Sequence, residues 1–437
     1  MKIIGSISVA IIASFFFFPF YFPFLPVANT KMLVALMGLV LYIFKMGMGK
    51  SGVVNREMFI LTICAISVSM ASFVAMTVNG TDDDAFLGYV ASMWTWIGAA
   101  YFVVNAIKGV HGKISVELVV YYLAFICVCQ CVLAIMIDRL PSVKSFIDSF
   151  LAGEGFMGKN EDRLYGLGCA LDVAGTRFSS VLISIAFLLP SVSQQRDRAL
   201  KFLYLLSTFA IISVIGNMIG RTTTIGMVIS ICYLIYLFAF SKSIDKGKKV
   251  YLAKWIISAI LLFTLFFSLL YKTNSSWRKN IEFGFEGFFS LVEKGTWEVR
   301  SNNQLKGTFL VPDNYRTWIV GEGYMGTTDD DPYYIGPAYH DFYKMTDVGY
   351  SRFLFYFGLL GLLAFSSVIL MSSYICMNRL NKYKMMFVLY AVLNFIIWFK
   401  VSTDIFLVFA IFLCISPEEQ QQAEQMQHER LSVKANT

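Results

Sequence analysis

The feature that most constrains this 437-residue chain is a series of apolar runs that recurs along almost its whole length. A helix needs roughly 20 apolar residues to cross a bilayer core, where only helices and closed barrels satisfy their own backbone polar groups. Hydrophobic residues make up 57% of the chain and charged residues 15%, against about 25% charged in soluble domains. The sequence therefore predicts an all-α polytopic integral membrane protein with about 12 transmembrane helices. The twelve runs, several of them short, are residues 3–25, 32–46, 58–78, 86–107, 116–137, 178–192, 202–218, 223–240, 251–270, 350–370, 385–399 and 405–415.

The distribution of Lys and Arg between the loops predicts the side of the membrane that each loop occupies, because these residues stay cytoplasmic near span ends. Both termini are then cytoplasmic, and the net charge of +7 reflects topology rather than nucleic-acid binding. The cation-rich loops alternate with short cation-poor ones and lie at residues 45–56, 108–113, 196–201, 242–249 and 379–384.

The longest polar stretch, residues 272–348, falls on the outer side in this arrangement. Residues 1–271 are predicted to form an N-terminal bundle of about nine spans, and residues 349–416 the C-terminal transmembrane helices. Residues 417–437 form a polar, Gln-rich cytoplasmic tail that is expected to be disordered or loosely helical. A large loop between two late spans indicates chemistry or recognition at the outer membrane face.

Two outer segments, residues 141–152 and 281–292, have the apolar periodicity of amphipathic helices. Such a stripe either covers a groove between spans at the membrane surface or packs on the core of the external loop itself. The second stripe is the more pronounced, with three glutamates (Glu282, Glu286 and Glu293) off it. Its apolar members are Ile281, Phe285, Phe288, Phe289 and Val292.

Four of the outer arginines are candidate anion contacts: Arg177, Arg221, Arg316 and Arg352. The planar guanidinium fork suits phosphate oxygens. An Arg at the mouth of a span carries a desolvation cost, which a bound anion offsets. Arg221 stands in a Gly-Arg-Thr-Thr-Thr segment that leads into a span, where free N–H groups also favour anions. The alternative for each arginine is snorkelling to lipid head groups.

Candidate proton acceptors occur in the same outer region, whereas the spans hold almost no internal charge. His340, Asp347 and Glu322 lie in or beside the large loop. A histidine near carboxylates can act as a base near neutral pH, and a simple loop hydrogen bond is the alternative for His340. The scarcity of charge inside the spans argues against a proton- or sodium-driven carrier.

Several short motifs together resemble the bacterial O-antigen polymerase and O-antigen ligase superfamily. They are the Gly-Arg-Thr-Thr-Thr turn, the large late external loop, the Gly-Glu-Gly patch at Glu322, the Asp-Val-Gly-Tyr segment ending at Tyr350, and Gly-Leu-Leu-Gly at Gly358 to Gly361. In ligases a histidine in the large loop precedes a Gly-x-x-Gly stretch, and His340 fits this pattern with a longer spacing. The Asp-x-Gly-Tyr segment is more similar to the polymerase branch.

The resemblance implies a metal-independent, inverting glycosyltransferase without a cofactor, at the periplasmic face of the bacterial inner membrane. Its donor and acceptor would be undecaprenyl-diphosphate-linked oligosaccharides held among membrane lipid, and a protein that regulates chain length would be a further partner. The base would be His340, Asp347 or Glu322. The diphosphate would be held by Arg221, Arg177, Arg316 and Arg352, with Tyr350 as a further binding residue.

Three alternatives remain open from the sequence. A ligase would transfer the glycan to the lipid A core, and a flippase would move lipid-linked oligosaccharides without joining them. A metal-dependent transferase would use the acidic triplets at residues 82–84 and 329–331, although acidic loop triplets are usually only solvated.

Overall fold

The computed structural model describes residues 2–48, 55–149, 163–193, 199–240, 246–326, 338–339 and 342–435, and most of them are helical. A π-helical turn (Ile212–Gly216) joins the helices Ala199–Ile211 and Asn217–Ile219, and a 3₁₀ turn (Asn381–Tyr383) precedes the helix Lys384–Ile397. In chain order the helices are α1 (Lys2–Phe17), α2 (Thr30–Gly47), α3 (Arg56–Asn79), α4 (Tyr89–His111), α5 (Val116–Arg139), α6 (Pro141–Asp148), α7 (Leu171–Ser193), α8 (Ala199–Ile211), α9 (Asn217–Ile219), α10 (Thr223–Phe240), α11 (Lys246–Thr273), α12 (Ser275–Gly284), α13 (Glu286–Lys294), α14 (Arg300–Thr308), α15 (Tyr315–Val320), α16 (Gly349–Arg379), α17 (Lys384–Ile397), α18 (Phe406–Leu413) and α19 (Pro417–Ala435).

Two small antiparallel hairpins accompany the helices in the described residues. Strands β1 (Tyr21–Phe22) and β2 (Leu25–Asn29) follow α1, and strands β3 (Ala338–Tyr339) and β4 (Phe342–Tyr343) precede α16. Three prolines in residues 19–26 prevent α1 from continuing, because proline lacks the N–H that a helix needs.

Nine helical segments within the described residues are long and apolar enough to cross a membrane. The other three apolar runs contain shorter helices, namely α1 with 16 residues, α17 with 14 and α18 with 8. The all-α polytopic prediction is therefore confirmed at the level of nine candidate spans, and the count of twelve stays a prediction. The nine segments are Thr30–Gly47, Arg56–Asn79, Tyr89–His111, Val116–Arg139, Leu171–Val192, Ala199–Ile219, Thr223–Phe240, Ala253–Thr273 and Gly349–Arg379.

The outward faces of these helices are apolar, as a hydrocarbon environment requires. Helix α11 exposes Leu261, Leu262 and Leu265 by 65%, 65% and 61%. A soluble protein rarely presents such a continuous apolar face to water, whereas lipid accepts it without a free-energy penalty.

The chain divides into two compact units that interleave in sequence. Unit 1 comprises Met1–Gly38, Ala99–Gly295 and Ile415–Thr437, and unit 2 comprises Leu39–Gly98 and Thr296–Cys414. The long polar stretch is thereby shared, with α12 and α13 in unit 1 and its remainder in unit 2. The linear division into residues 1–271, 272–348, 349–416 and 417–437 stays a prediction.

The polar tail forms helix α19 and is docked on unit 1. The Gln420 side chain accepts a hydrogen bond from the Val116 amide at 3.0 Å, and Lys108 pairs with Glu419 at 2.6 Å. Ala423 is 2% exposed. The Gln-rich composition allowed a disordered or a loosely helical tail, and these contacts give its first turns a defined position.

Candidate functional site

Helix α7 fixes the turn that carries Arg221 between α9 and α10. The Ser179 hydroxyl donates to the Thr222 carbonyl at 2.9 Å and accepts from the Gly226 amide at 3.1 Å. A Cβ on Gly226 would lie 2.2 Å from the Ser179 Cα, so the two helices approach at a distance that only glycine permits. The Thr222 hydroxyl also donates to the Asp172 carboxylate. The Gly-Arg-Thr-Thr-Thr segment is thus held by backbone and side-chain contacts that set the origin of the Arg221 side chain.

The Arg221 guanidinium meets a carboxylate and an aromatic ring on the next two helices. It forms an ion pair with Glu286, the first residue of α13, and the two side chains are 12% and 21% exposed. Its Cζ lies 4.6 Å from the centroid of the Phe283 ring, and the Cζ of Arg163 lies 5.0 Å from the same centroid. Two guanidinium groups therefore lie over Phe283, and the low exposure of Arg221 and Glu286 strengthens their ion pair relative to surface pairs.

A helix cap and a close contact with α9 define the position of α12 and α13 within unit 1. The Asn274 side chain caps α12 by accepting from the amides of Ser276 at 3.1 Å and Trp277 at 3.2 Å. Gly284 lets α12 approach α9, because a Cβ there would lie only 3.2 Å from the Asn217 carbonyl carbon. The pair α12–α13 therefore has a defined position close to Arg221.

An apolar cavity of about 820 Å³ lies between α8, α10, α11 and the α12–α13 pair. Ile281, Phe285, Phe288 and Phe289 line it from the α12–α13 side, and most of the other lining side chains are apolar. The amphipathic stripe in residues 281–292 thus covers a groove between candidate spans, which decides between the two alternatives. Val292, the last member of the stripe, is 86% exposed.

The α12–α13 pair joins this cavity to the arginines. Its apolar stripe lines the cavity, whereas Phe283 and Glu286 contact Arg221. An amphiphile with an apolar chain and an anionic head group matches this juxtaposition, because each part meets its complement.

Arg177 lies apart from this cluster in the interior of unit 1. It is 6% exposed, and its Cζ lies 5.6 Å from the centroid of the Phe18 ring. Burial raises the pKa of the Cys169 thiol, and the charge of Arg177 acts in the opposite direction. Arg177 and Arg221 therefore contact different elements of unit 1, although the sequence placed both at outer span mouths.

In unit 2 the Gly-Glu-Gly patch docks on a break in α16. Gly358 has φ 62° and ψ −162°, a conformation that essentially only glycine adopts and that interrupts the helix. The amides of Glu322 and Gly323 donate to the carbonyls of Phe355 at 2.6 Å and Tyr356 at 3.0 Å. The break therefore exposes carbonyl groups that the Gly-Glu-Gly patch satisfies.

One glycine of each motif, Gly321 and Gly358, is explained by this close approach. A Cβ on Gly358 would lie 2.4 Å from the Ile319 carbonyl, and a Cβ on Gly321 would lie 2.4 Å from the Tyr356 oxygen. These two glycines of the motifs that suggested a family resemblance thus have a structural role in unit 2, which is backbone-to-backbone packing.

Docking of the patch places Glu322 in a network of polar side chains. Its carboxylate accepts hydrogen bonds from the Tyr343 hydroxyl and from the Thr317 hydroxyl at 3.3 Å, and it pairs with Lys344 at 3.2 Å. Lys344 and Met345 both have positive φ values, of 56° and 59°, in the turn after β4. Two consecutive non-glycine residues in this region are strained and persist only where surrounding contacts impose them. Glu322 thus ties α15 to the β4 turn.

Arg352, in the first turn of α16, donates its described hydrogen bonds to neutral groups and also interacts electrostatically with the carboxylates of Asp347 and Asp83. Its guanidinium donates to the Ser402 hydroxyl at 2.8 Å and to the Met325 carbonyl at 3.0 Å, and its Cζ lies 4.2 Å from the Phe342 ring centroid. The Nε atom is buried with no hydrogen-bond partner among the described residues. Asp347 lies two residues before α16 and is half-buried.

Tyr350 and Arg316 have contacts with the helical framework of unit 2. The Tyr350 hydroxyl donates to the Phe395 carbonyl at 3.0 Å, and its ring centroid lies 4.8 Å from that of Phe399. Arg316 is exposed and donates to the Val78 carbonyl at 2.6 Å. Tyr350 is therefore used in packing at the start of α16.

His340 lies outside the described residues, as does the acidic triplet 329–331. In the other triplet, the Asp83 carboxylate accepts from the amides of Met325 at 2.7 Å and Gly326 at 2.9 Å. Within the described ranges no group of three or more His, Cys, Asp or Glu side chains could hold a metal ion. Asp83 thus anchors the segment that follows the Gly-Glu-Gly patch.

Sequence reasoning missed Phe283, Arg163 and Lys344, and it left Glu286 without a role. The one sequence signal for Glu286 was its position off the apolar stripe, because a residue on the opposite helical face is directed away from the apolar groove. The proximity of Arg163 and Arg221 to one ring depends on contacts distant in sequence, which no local pattern contains.

Comparison of the chain with protein-family models, with curated proteins and with solved structures found no match.

Proposed function

We propose that this chain is a membrane glycosyltransferase that polymerises undecaprenyl-diphosphate-linked oligosaccharide repeat units. The observation that carries the proposal is that one helix pair in unit 1, α12–α13, both lines the apolar cavity of about 820 Å³ and contacts Arg221. The polyprenyl chain would occupy the cavity, and the diphosphate would bind the guanidinium groups. The sequence resemblance supplies the sugar chemistry.

The proposed reaction is an inverting substitution at the anomeric carbon. The acceptor hydroxyl oxygen bonds to that carbon, its proton passes to a base, and the bond from the carbon to the donor phosphate oxygen breaks. The electron pair of that bond stays on the lipid diphosphate. Arg221 would stabilise this growing negative charge, which is the contribution that fixed cations in a poorly solvated site make best.

The proposed base and the further phosphate or sugar contacts are residues of the large loop and of the start of α16. Glu322 already accepts from Tyr343 and Thr317 and pairs with Lys344, so we assign it to positioning the segment. Asp347 and His340 are then the proposed bases. Arg352 is the proposed anion contact of this region, because its described hydrogen-bond partners are both neutral. Arg177 and Arg316 would have secondary roles.

The proposed location is the periplasmic face of a bacterial inner membrane, with cytoplasmic termini. The alternation of cation-rich and cation-poor loops supports this orientation, in which α12, α13 and Arg221 all lie on the outer side.

Purified protein with lipid-linked repeat units tests the proposal by the length of the glycan formed. Arg221→Ala should lower elongation roughly a hundredfold, or about 3 kcal/mol, because a charge-assisted contact that strengthens in the transition state is lost. Arg221→Lys should restore only part of the rate, since an ammonium group lacks the two-pronged fork. Arg278→Ala is the matched control on α12, where an exposed arginine stacks over Tyr271, and it should elongate normally.

Two outcomes would refute the polymerase proposal. Translocation of the lipid without elongation would indicate a flippase, and transfer only to a lipid A core would indicate a ligase. Equal rates for wild type and Arg221→Ala would remove the diphosphate role of Arg221. Ala210→Trp, which narrows the cavity from α8, should weaken binding of lipid-linked substrate in the same preparation.

A further inference from the structure

We propose that Glu286 competes with the lipid diphosphate for Arg221 and so promotes release of that product after each transfer. This inference rests on the proposed function, because it assumes that Arg221 holds the diphosphate. The starting observation is that the Arg221 guanidinium is paired with the Glu286 carboxylate. Any phosphate that binds Arg221 through the same nitrogen must displace this carboxylate.

Product release is a physical problem for a site of this kind. Before transfer, the distal phosphate has an ester bond to the sugar and an anhydride bond to the other phosphate. Breaking the ester bond leaves a terminal phosphate, which gains negative charge near neutral pH because its second pKa is about 6. The cations that stabilise the leaving group therefore bind the product at least as strongly as the substrate. The polyprenyl chain in the apolar cavity holds the product further. A tethered carboxylate that returns to Arg221 offsets part of this attraction.

The position of Glu286 suits it to this exchange. It begins α13, whose Phe288 and Phe289 line the cavity, and it stands three residues after Phe283, over which Arg221 lies. Helix α13 keeps a second anchor when the ion pair opens, because the Phe289 ring stacks on the Tyr271 ring at a centroid distance of 5.8 Å. The carboxylate therefore stays close to Arg221 at a high effective concentration.

The α12–α13 pair offers a matched control in Glu282. This residue has the same charge and lies on α12, but its carboxylate accepts from the Tyr271 hydroxyl at 2.8 Å. Glu282→Gln and Glu286→Gln therefore change the net charge equally, and only the second removes the competitor of Arg221.

The experiment measures binding of undecaprenyl diphosphate to the purified full chain in detergent. Glu286→Gln should bind about tenfold more tightly than wild type, which corresponds to about 1.4 kcal/mol, with slower dissociation. Glu286→Ala should change affinity in the same direction, and Glu282→Gln should match wild type. In an Arg221→Ala background, Glu286→Gln should have no effect, because the shared partner is gone.

Unchanged or weaker binding by both Glu286 variants would overturn the inference, as would equal gains from Glu282→Gln. The failure of the proposed function has a different signature. If wild type and Arg221→Ala bind the lipid equally or not at all, the diphosphate role of Arg221 fails and the inference fails with it. If Arg221→Ala weakens binding while the Glu286 variants do not strengthen it, only the inference fails.

Discussion

Replacing Gly358 by alanine should destabilise unit 2 strongly, because the break in α16 depends on this glycine. Its φ of 62° and ψ of −162° lie in a region that other residues enter only with strain of about 1–3 kcal/mol. The new Cβ would also lie 2.4 Å from the Ile319 carbonyl, so the segment before the Gly-Glu-Gly patch must move away.

The movement would break two backbone hydrogen bonds, from the amides of Glu322 and Gly323 to Phe355 and Tyr356. Each of these two hydrogen bonds contributes about 1 kcal/mol. Together with the strain, their loss should lower the free energy of unfolding by about 4 kcal/mol. Since Glu322 also joins the Tyr343 and Lys344 network, elongation should fall together with stability.

The assay is thermal unfolding of the purified protein in detergent, followed by the exposure of buried thiols to a fluorescent maleimide. Gly109→Ala is the control, because a Cβ there meets no atom within 4 Å and the residue lies within α4. That variant should be as stable as wild type or slightly more so, since alanine favours a helix. An unfolding temperature of Gly358→Ala equal to that of Gly109→Ala would refute the account of the break in α16.

Two further predictions concern the outer segments. Asp83→Ala should lower the free energy of unfolding by about 2 kcal/mol in the same thermal assay, because the Met325 and Gly326 amides lose their acceptor. Asp82 is exposed, so Asp82→Ala should leave the stability unchanged. Equal effects of the two substitutions would show that Asp83 does not anchor the segment. In a cysteine-free background, an impermeant maleimide should label Ser275→Cys in intact spheroplasts and leave Ser243→Cys unlabelled, and the reverse pattern would overturn the orientation.

The sequence by itself determined the helical membrane architecture, because apolar runs of this length have few other stable arrangements in a bilayer. It also singled out the amphipathic stripe of residues 281–292 and the Arg221 turn, since helical periodicity and the position of an arginine beside an apolar run can both be read from a local stretch of sequence. Short helices such as α18, with 8 residues, show that apolar content alone does not predict the length of a helix. The period of an apolar run does not report where a helix ends.

Only the tertiary structure decided what each of these features contacts. The pairing of Arg221 with Glu286 joins residues 65 positions apart, and the approach of Arg163 to the same Phe283 ring spans a still longer part of the chain. The glycines at 321 and 358 looked like motif residues, and the structure shows that they pack backbone against backbone. Such contacts depend on the close approach of helices distant in sequence, which is fixed by how their surfaces fit together and is not encoded in either segment alone.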